Sequence, residues 1–188
     1  MEDLIVVYDS CVLYPAPLRD LLMNLARTGL FQAKWTEEIH REWMRGLLRN
    51  RPDLTLERLE RTRQLMNEAV RDCIVTGYEQ HIERVVLPDA EDRHVVGAAI
   101  EAKASLIITF NLTDFPAAAL SQFGLRAEHP DEFVRLLIEL EPILATEAAE
   151  RHWASLRKPA KTREQYLATL LNQGLKKTVA ALEDLLPS

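Results

Sequence analysis

Residues 4–13, LIVVYDSCVL, set Leu4, Ile5, Val6, Val7 and Tyr8 in an unbroken apolar row that runs straight into Asp9. Residues 105–115, SLIITFNLTDF, repeat the pattern, with Asn111 and Asp114 just past the run. Neither row has a polar face, so each reads as a strand covered on both sides, as in a parallel sheet. In an open parallel sheet the residues just beyond the carboxyl ends of the strands share one crevice, so acids at two such ends point to a cation site.

Between and beyond these strands, helical patterns alternate with short apolar runs. Pro15 and Pro17 mark a loop and a helix start, LRDLLMNLARTGLF (18–31) has helical spacing, and Gly29 ends it. A short strand around QAKW (32–35) leads to Thr36, an N-cap for TEEIHREWMRGLLRN (36–50). Pro52 and Asp53 break that helix, LERLERTRQLMNEAV (56–70) resumes it, and CIVTGY (73–78) reads as another short strand. PDAEDRHVVGAAIEAKA (88–104) opens acidic and continues with small apolar residues suited to close packing on a sheet. LRAEH (125–129) closes the sheet, and DEFVRLLIEL (131–140) starts a helix with Asp131 at its positive end. The alternation predicts a doubly wound α/β sheet. From Pro142 onward the pattern is all helical, with a break around Lys158, Pro159 and Ala160 and a capping box from Thr162 to Gln165.

The 188 residues suffice for one sizeable core with room for an appendage. No apolar run approaches the roughly 18 residues of a membrane span, and LIVVY is too short for a signal peptide, so the cytoplasm is the expected location. Cys11 and Cys73 lack metal-type spacing, and Cys11 lies inside an apolar run, so the two read as buried thiols rather than a disulfide. The net charge of −6 is uneven: residues 151–188 carry seven Lys and Arg against three Asp and Glu, leaving 16 against 26 for residues 1–150. A chain this acidic approaches phosphate only through basic patches or bound metal, so charge neither supports nor excludes RNA.

Six acids have a structural reason to converge. Asp9 follows the first strand, Glu38 and Glu42 share a helix face, Asp89 and Asp92 enter another helix, and Asp114 follows the late strand. Like carboxylates about 4 Å apart repel by roughly 4 kcal/mol at an effective dielectric of about 20, so such a cluster costs stability unless a cation or protons occupy it. Oxygen-only ligands favour Mg²⁺ or Mn²⁺ over zinc. Duller readings stand beside this one: Glu38 as a partner for Arg41 or Arg45, Asp89 as a cap favouring the helix dipole.

The segments LIVVYDSCVLYP, TEEIHREW and PDAEDRHVVGAAIEAKASLIITFNLTDFP together resemble the PIN-domain ribonucleases, in particular the VapC-type toxins of prokaryotic toxin-antitoxin pairs. The likeness spans roughly residues 4–135 and lies in the order and spacing of the pieces. It implies a PIN-like three-layer α/β/α fold with a mostly parallel, about five-stranded sheet in residues 1–135, followed by a helical C-terminal extension, 136–188. Carried across by position, the catalytic and metal-binding acids fall on Asp9, Glu42, Asp92 and Asp114, with Asn111, Thr109, Glu38, Asp89 and Ser10 as surrounding polar residues. Asn111 stands where many members have Asp, and Tyr8, Ser10 and Cys11 depart from the usual residues around the first acid. The implied activity is endoribonucleolytic hydrolysis with Mg²⁺ or Mn²⁺, leaving a 3′-hydroxyl and a 5′-phosphate; the implied partners are RNA and a cognate antitoxin.

Two other functions fit the residues. One is a catalytically silent scaffold that binds RNA or a protein partner, motivated by Asn111. The other is a Mg²⁺-dependent phosphoryl-transfer or phosphatase-like protein, though position 11 is Cys and no D-x-D follows Asp9. His94 reads as an ordinary helix-surface residue, with contact to substrate as the alternative. Arg41, Arg45, Arg49, Arg51, Arg58, Arg61, Arg63 and Arg71 read equally as an RNA guide or as a solvated helix pair laced with Glu. Leu22, Met23 and Leu25, like Leu136, Leu137 and Leu140, read as core stripes, and Trp35, Trp43 and Trp153 as seam packing. The extension, with Lys158, Lys161, Arg163, Lys176 and Lys177, is open to antitoxin contact, homodimer formation or an RNA platform.

Overall fold

The computed structural model describes residues 4–157 and 159–187. Of the break expected around Lys158, Pro159 and Ala160, Lys158 lies outside the described residues, and on either side the helical pattern stops at Ser155 and resumes at Arg163. Four strands, β1 (Ile5–Tyr8), β2 (Gln32–Lys34), β3 (Leu106–Ile108) and β4 (Arg126–Glu128), pair in parallel in the order β2-β1-β3-β4. Between them run the helices α1 (Ser10–Leu13), α2 (Ala16–Ala26), α3 (Glu37–Asn50), α4 (Leu56–Ala69), α5 (Glu79–Ile82), α6 (Arg93–Glu101) and α7 (Ala117–Leu120). The chain ends in α8 (Pro130–Leu140), α9 (Pro142–Ser155), α10 (Arg163–Leu171) and α11 (Lys176–Leu182). The strand order reverses after β2, so right-handed crossovers place α1 and α2 on one face of the sheet and α3 to α6 on the other. The result is the α/β fold the sequence predicts.

CIVTGY contributes less than a full fifth strand. It meets the outer edge of β2 through a single parallel bridge between Ile74 and Trp35. The backbone leaves the sheet at once because Asp72 and Gly77, with φ of 53° and 78°, turn the chain on either side of it.

Local signals work as their chemistry requires. Thr36 Oγ1 accepts from Ile39 N at 3.1 Å and starts α3, while Thr162 and Gln165 complete a capping box at α10. Leu22, Met23 and Leu25 are buried, but Leu140 is exposed and Leu136 half-buried, a correction to the second core stripe. Leu140 is the last residue of α8, and Pro142 starts α9 immediately after it, which leaves that end at the surface.

The extension packs into the same hydrophobic cluster as the sheet, through Ala148, Tyr166, Leu170, Leu175 and Leu182. Asp131 does more than face its own helix: its carboxylate accepts from Lys177 N at 3.0 Å and Thr178 N at 2.8 Å, satisfying two otherwise free N–H groups at the start of α11. Trp153 stacks on Tyr166 with ring centroids 5.8 Å apart, and its indole N–H donates to Lys161 O.

His152 sits beside them, fully buried, with only Nδ1 in contact, at 3.2 Å from Tyr166 Oη. Burial pushes this imidazole down to about 4. The unfolded ring titrates near 6.5, so its stabilising share is complete above that pH and is lost as pH falls toward the folded value. Between about pH 7.5 and 5 the ring should remove roughly 2 kcal/mol, or about 4–8 °C in Tm. His152→Gln should lack that increment in urea melts at the two pH values; equal losses in both proteins would refute the assignment.

Candidate active site

β1 and β3 are neighbours at the point where the strand order reverses, which is where an open α/β sheet forms its crevice. Tyr8 pairs with Ile108 in register, and Asp9 N extends the ladder to Ile108 O at 3.1 Å. Asp9 and Thr109, the next residue on each strand, therefore emerge side by side. Asp9 is only 3% exposed, and its Oδ2 accepts from Thr109 Oγ1 at 2.7 Å and from Cys11 Sγ at 3.0 Å. Phe110 N donates to Cys11 Sγ at 3.2 Å and Asn111 N to Thr109 Oγ1 at 3.0 Å, so the backbone after β3 braces both donors. Burial, followed by the charge of Asp9, pushes the Cys11 thiol up to about 12, which keeps it protonated and donating. Cys11 thus occupies the polar position beside the first acid, while Ser10 makes no side-chain hydrogen bond among the described residues.

Asp92 stands at the N-cap of α6, and its side chain takes no capping bond. Burial raises its carboxyl to about 7, reinforced by the charges of Asp9, Asp89, Asp114 and Glu42. Three acids from three other parts of the chain, and Asp89 three residues before it, thus lie within electrostatic reach of Asp92. Asp114 is brought in by a turn in which its N–H donates to Asn111 O at 2.9 Å. Asn111 itself is exposed. Asp89 Oδ1 accepts from Glu91 N at 2.8 Å, a local turn bond rather than a cap on α6. Glu38 is engaged by Arg41 in an ion pair.

Glu42 projects from α3, whose opposite face is held by a buried network. Asn67 Oδ1 on α4 accepts from Trp35 Nε1 at 2.9 Å and lies 2.9 Å from His40 Nε2, while Trp43 Nε1 donates to His40 Nδ1 at 3.0 Å. That last bond makes Nδ1 the acceptor, so Nε2 carries the proton given to Asn67. At the crevice, His94 Nε2 lies 3.0 Å from Glu42 Oε1. His94 is 8% exposed, which corrects its reading as a surface residue. Burial pulls the imidazole down, but the hydrogen bond and charge of Glu42, with Glu38 and Asp9 beyond, overcome it and leave its pKa raised. The available sequence signal was a polar side chain opening a helix whose next residues, Val95 and Val96, are wholly buried.

A cavity of about 600 Å³ adjoins this corner, lined among others by Arg41, Glu42, Arg45, Tyr78, Arg93 and His94. Three of the arginines expected to face either RNA or acids are in ion pairs: Arg41 with Glu38, Arg51 with Asp53, and Arg63 with Glu37 and Glu60. Among the described residues no three His, Cys, Asp or Glu side chains stand close enough together to grip an ion unaided, and no helix is long and apolar enough to cross a membrane.

Comparison with known families matches residues 5–113 to the PIN domain and residues 130–184 to the domain described as VapC50 C-terminal domain. Over 44 residues the sequence is 46% identical to a protein of Mycobacterium tuberculosis (strain ATCC 25618 / H37Rv) described as "Putative ribonuclease VapC50". That stretch is 23% of this chain and 26% of the relative, so the match spans about a quarter of the relative's length. No solved structure matches the chain.

Proposed function

Because the chain belongs to the PIN-domain family, we propose that it is a metal-dependent endoribonuclease, the toxin of a toxin-antitoxin pair, with Asp9, Glu42, Asp92 and Asp114 as its working acids. The observation that carries the reading is Asp92, a half-buried carboxyl whose charge is opposed by those other three acids and by Asp89. Such a group is relieved by a cation, and the donor set is all oxygen, which suits Mg²⁺ or Mn²⁺.

That no three such side chains converge among the described residues does not conflict with this ion. Mg²⁺ dehydrates reluctantly and is commonly held by one or two carboxylates, with waters and substrate phosphates completing the shell, so three converged protein ligands are not required. Asp9, Glu42, Asp92 and Asp114 would hold the ion, which when bound supplies an activated water and stabilises charge on the leaving oxygen. The chain's own contribution is orientation. Thr109 and Cys11 fix one oxygen of Asp9, leaving Oδ1 without a donor among the described residues. Arg45 and Arg93, on the wall of the adjoining cavity, would meet the RNA backbone, as arginines commonly do at phosphates.

The toxin assignment draws on the ribonuclease name of the relative and on the match of residues 130–184. We assign the chemistry to residues 1–135 and propose that residues 136–188, together with any antitoxin or second copy of the chain, modulate it. The deciding experiment is incubation of the purified chain with RNA. Cleavage is expected with Mg²⁺ or Mn²⁺, is expected to stop with EDTA, and should leave 5′-phosphate ends. RNA binding without cleavage at any metal concentration would replace this reading with that of a silent scaffold.

A further inference from the structure

We propose that His94 is a positioning residue for this site: by holding Glu42 Oε1 it fixes the Glu42 carboxylate at the edge of the crevice and so sets the affinity for a divalent cation. The inference rests on the metal-dependent nuclease reading above and extends it to a residue outside the four acids.

The geometry separates this role from ordinary packing. A Glu side chain at the rim of a crevice is free to sample rotamers, and ordering it costs entropy each time an ion binds. Here the Glu42 side chain is 28% exposed, whereas the ring that holds it is 10% exposed, so the less mobile partner constrains the more mobile one. The contact joins α3 to α6 across 52 positions of sequence, two residues beyond Asp92. His94 Nδ1 is buried with no partner, so Glu42 is the ring's one polar contact among the described residues. Only Oε1 of Glu42 is engaged, which leaves Oε2 free to face a cation. Hydrogen-bonding partners that hold a ligating carboxylate change metal affinity by about 10–100-fold when removed.

The reach of the donor provides the test. In His94→Gln the amide nitrogen stands about as far from the backbone as Nε2 does, whereas in His94→Asn it stops short of Oε1. Mn²⁺ should be titrated calorimetrically into full-length wild type and both variants, with thermal melts in EDTA reporting on folding. His94→Asn should weaken Mn²⁺ binding by about 10–100-fold, His94→Gln should stay within about threefold of wild type, and in a Glu42→Gln background the difference between the two should vanish. KM for RNA should move less than kcat at subsaturating Mn²⁺. Equal affinities in the Asn and Gln variants, or tighter binding in His94→Asn, would overturn the proposal; tighter binding would mean that the ring competes with the ion. If wild type itself binds no Mn²⁺, the nuclease reading falls with it, a result distinct from a wild type that binds and variants that do not differ.

Discussion

Asp9→Asn should reduce metal-dependent RNA cleavage by on the order of 10³-fold, because the stabilisation supplied through a correctly held cation is several kcal/mol and about 4 kcal/mol corresponds to that factor. The substitution keeps the shape, and its remaining carbonyl oxygen can still accept from Thr109 and Cys11. What it removes is the charge, and it can turn an N–H donor toward the ion. It also removes one of the charges that oppose ionisation of Asp92, so the metal-free protein should melt no lower than wild type. Wild type should gain Tm with Mn²⁺ by mass action, and Asp9→Asn should not. Single-turnover cleavage of end-labelled RNA, paired with melts with and without Mn²⁺, checks both parts. Cleavage within tenfold of wild type would remove Asp9 from the centre of the mechanism.

The largest loss of stability should come from Asn67→Leu, a position that touches none of the proposed catalytic groups. One amide oxygen there satisfies the N–H groups of Trp35 and His40, two residues with no exposed surface. Leu fills much of the space and keeps water from replacing the oxygen, so both donors are left buried and unpaired. Each such group costs about 1–3 kcal/mol, for a total of roughly 3 kcal/mol. Tm should fall by about 6–12 °C, and urea unfolding should show a lower midpoint at an unchanged slope. A loss below about 1 kcal/mol would mean that other contacts hold α3. The expected loss would also loosen α3, and with it Glu42, so cleavage should weaken by more than the unfolded fraction explains.

The parts of the fold that were legible in the sequence are those governed by local periodicity. LIVVY and SLIITF admit only a strand buried on both faces, and acids at such ends must open on one crevice if the sheet is parallel. The stops and starts were equally local, as Thr36 and Thr162 show through their capping bonds. His94 was misread because its burial depends on what the fold brings against α6, Glu42 from 52 positions earlier among it, and nothing within a few residues of it encodes that approach. Cys11 reads in sequence as a buried thiol and a departure from the usual residues beside the first acid; only the β1–β3 register shows the thiol, half-buried, between Asp9 and Thr109. Asp131 was read against its own helix, the one neighbour visible in sequence, while the N–H groups it satisfies lie 46 and 47 positions later. CIVTGY had strand composition, yet its length of contact was decided by the turns at Asp72 and Gly77.

The bond from Thr109 to Asp9 joins residues 100 positions apart. Contacts of such separation are made only after the long intervening loop has closed, so they form late relative to helices and local turns. During synthesis the first strand leaves the ribosome well before the third, and until the third is in place Asp9 has neither its bracing donor nor the neighbouring strand end. The crevice is therefore a property of a chain made past its third strand, not of any early fragment. In a chain assembled in this order the proposed site cannot form until the segment that carries Thr109 and Asp114 has been made and has docked beside the first strand.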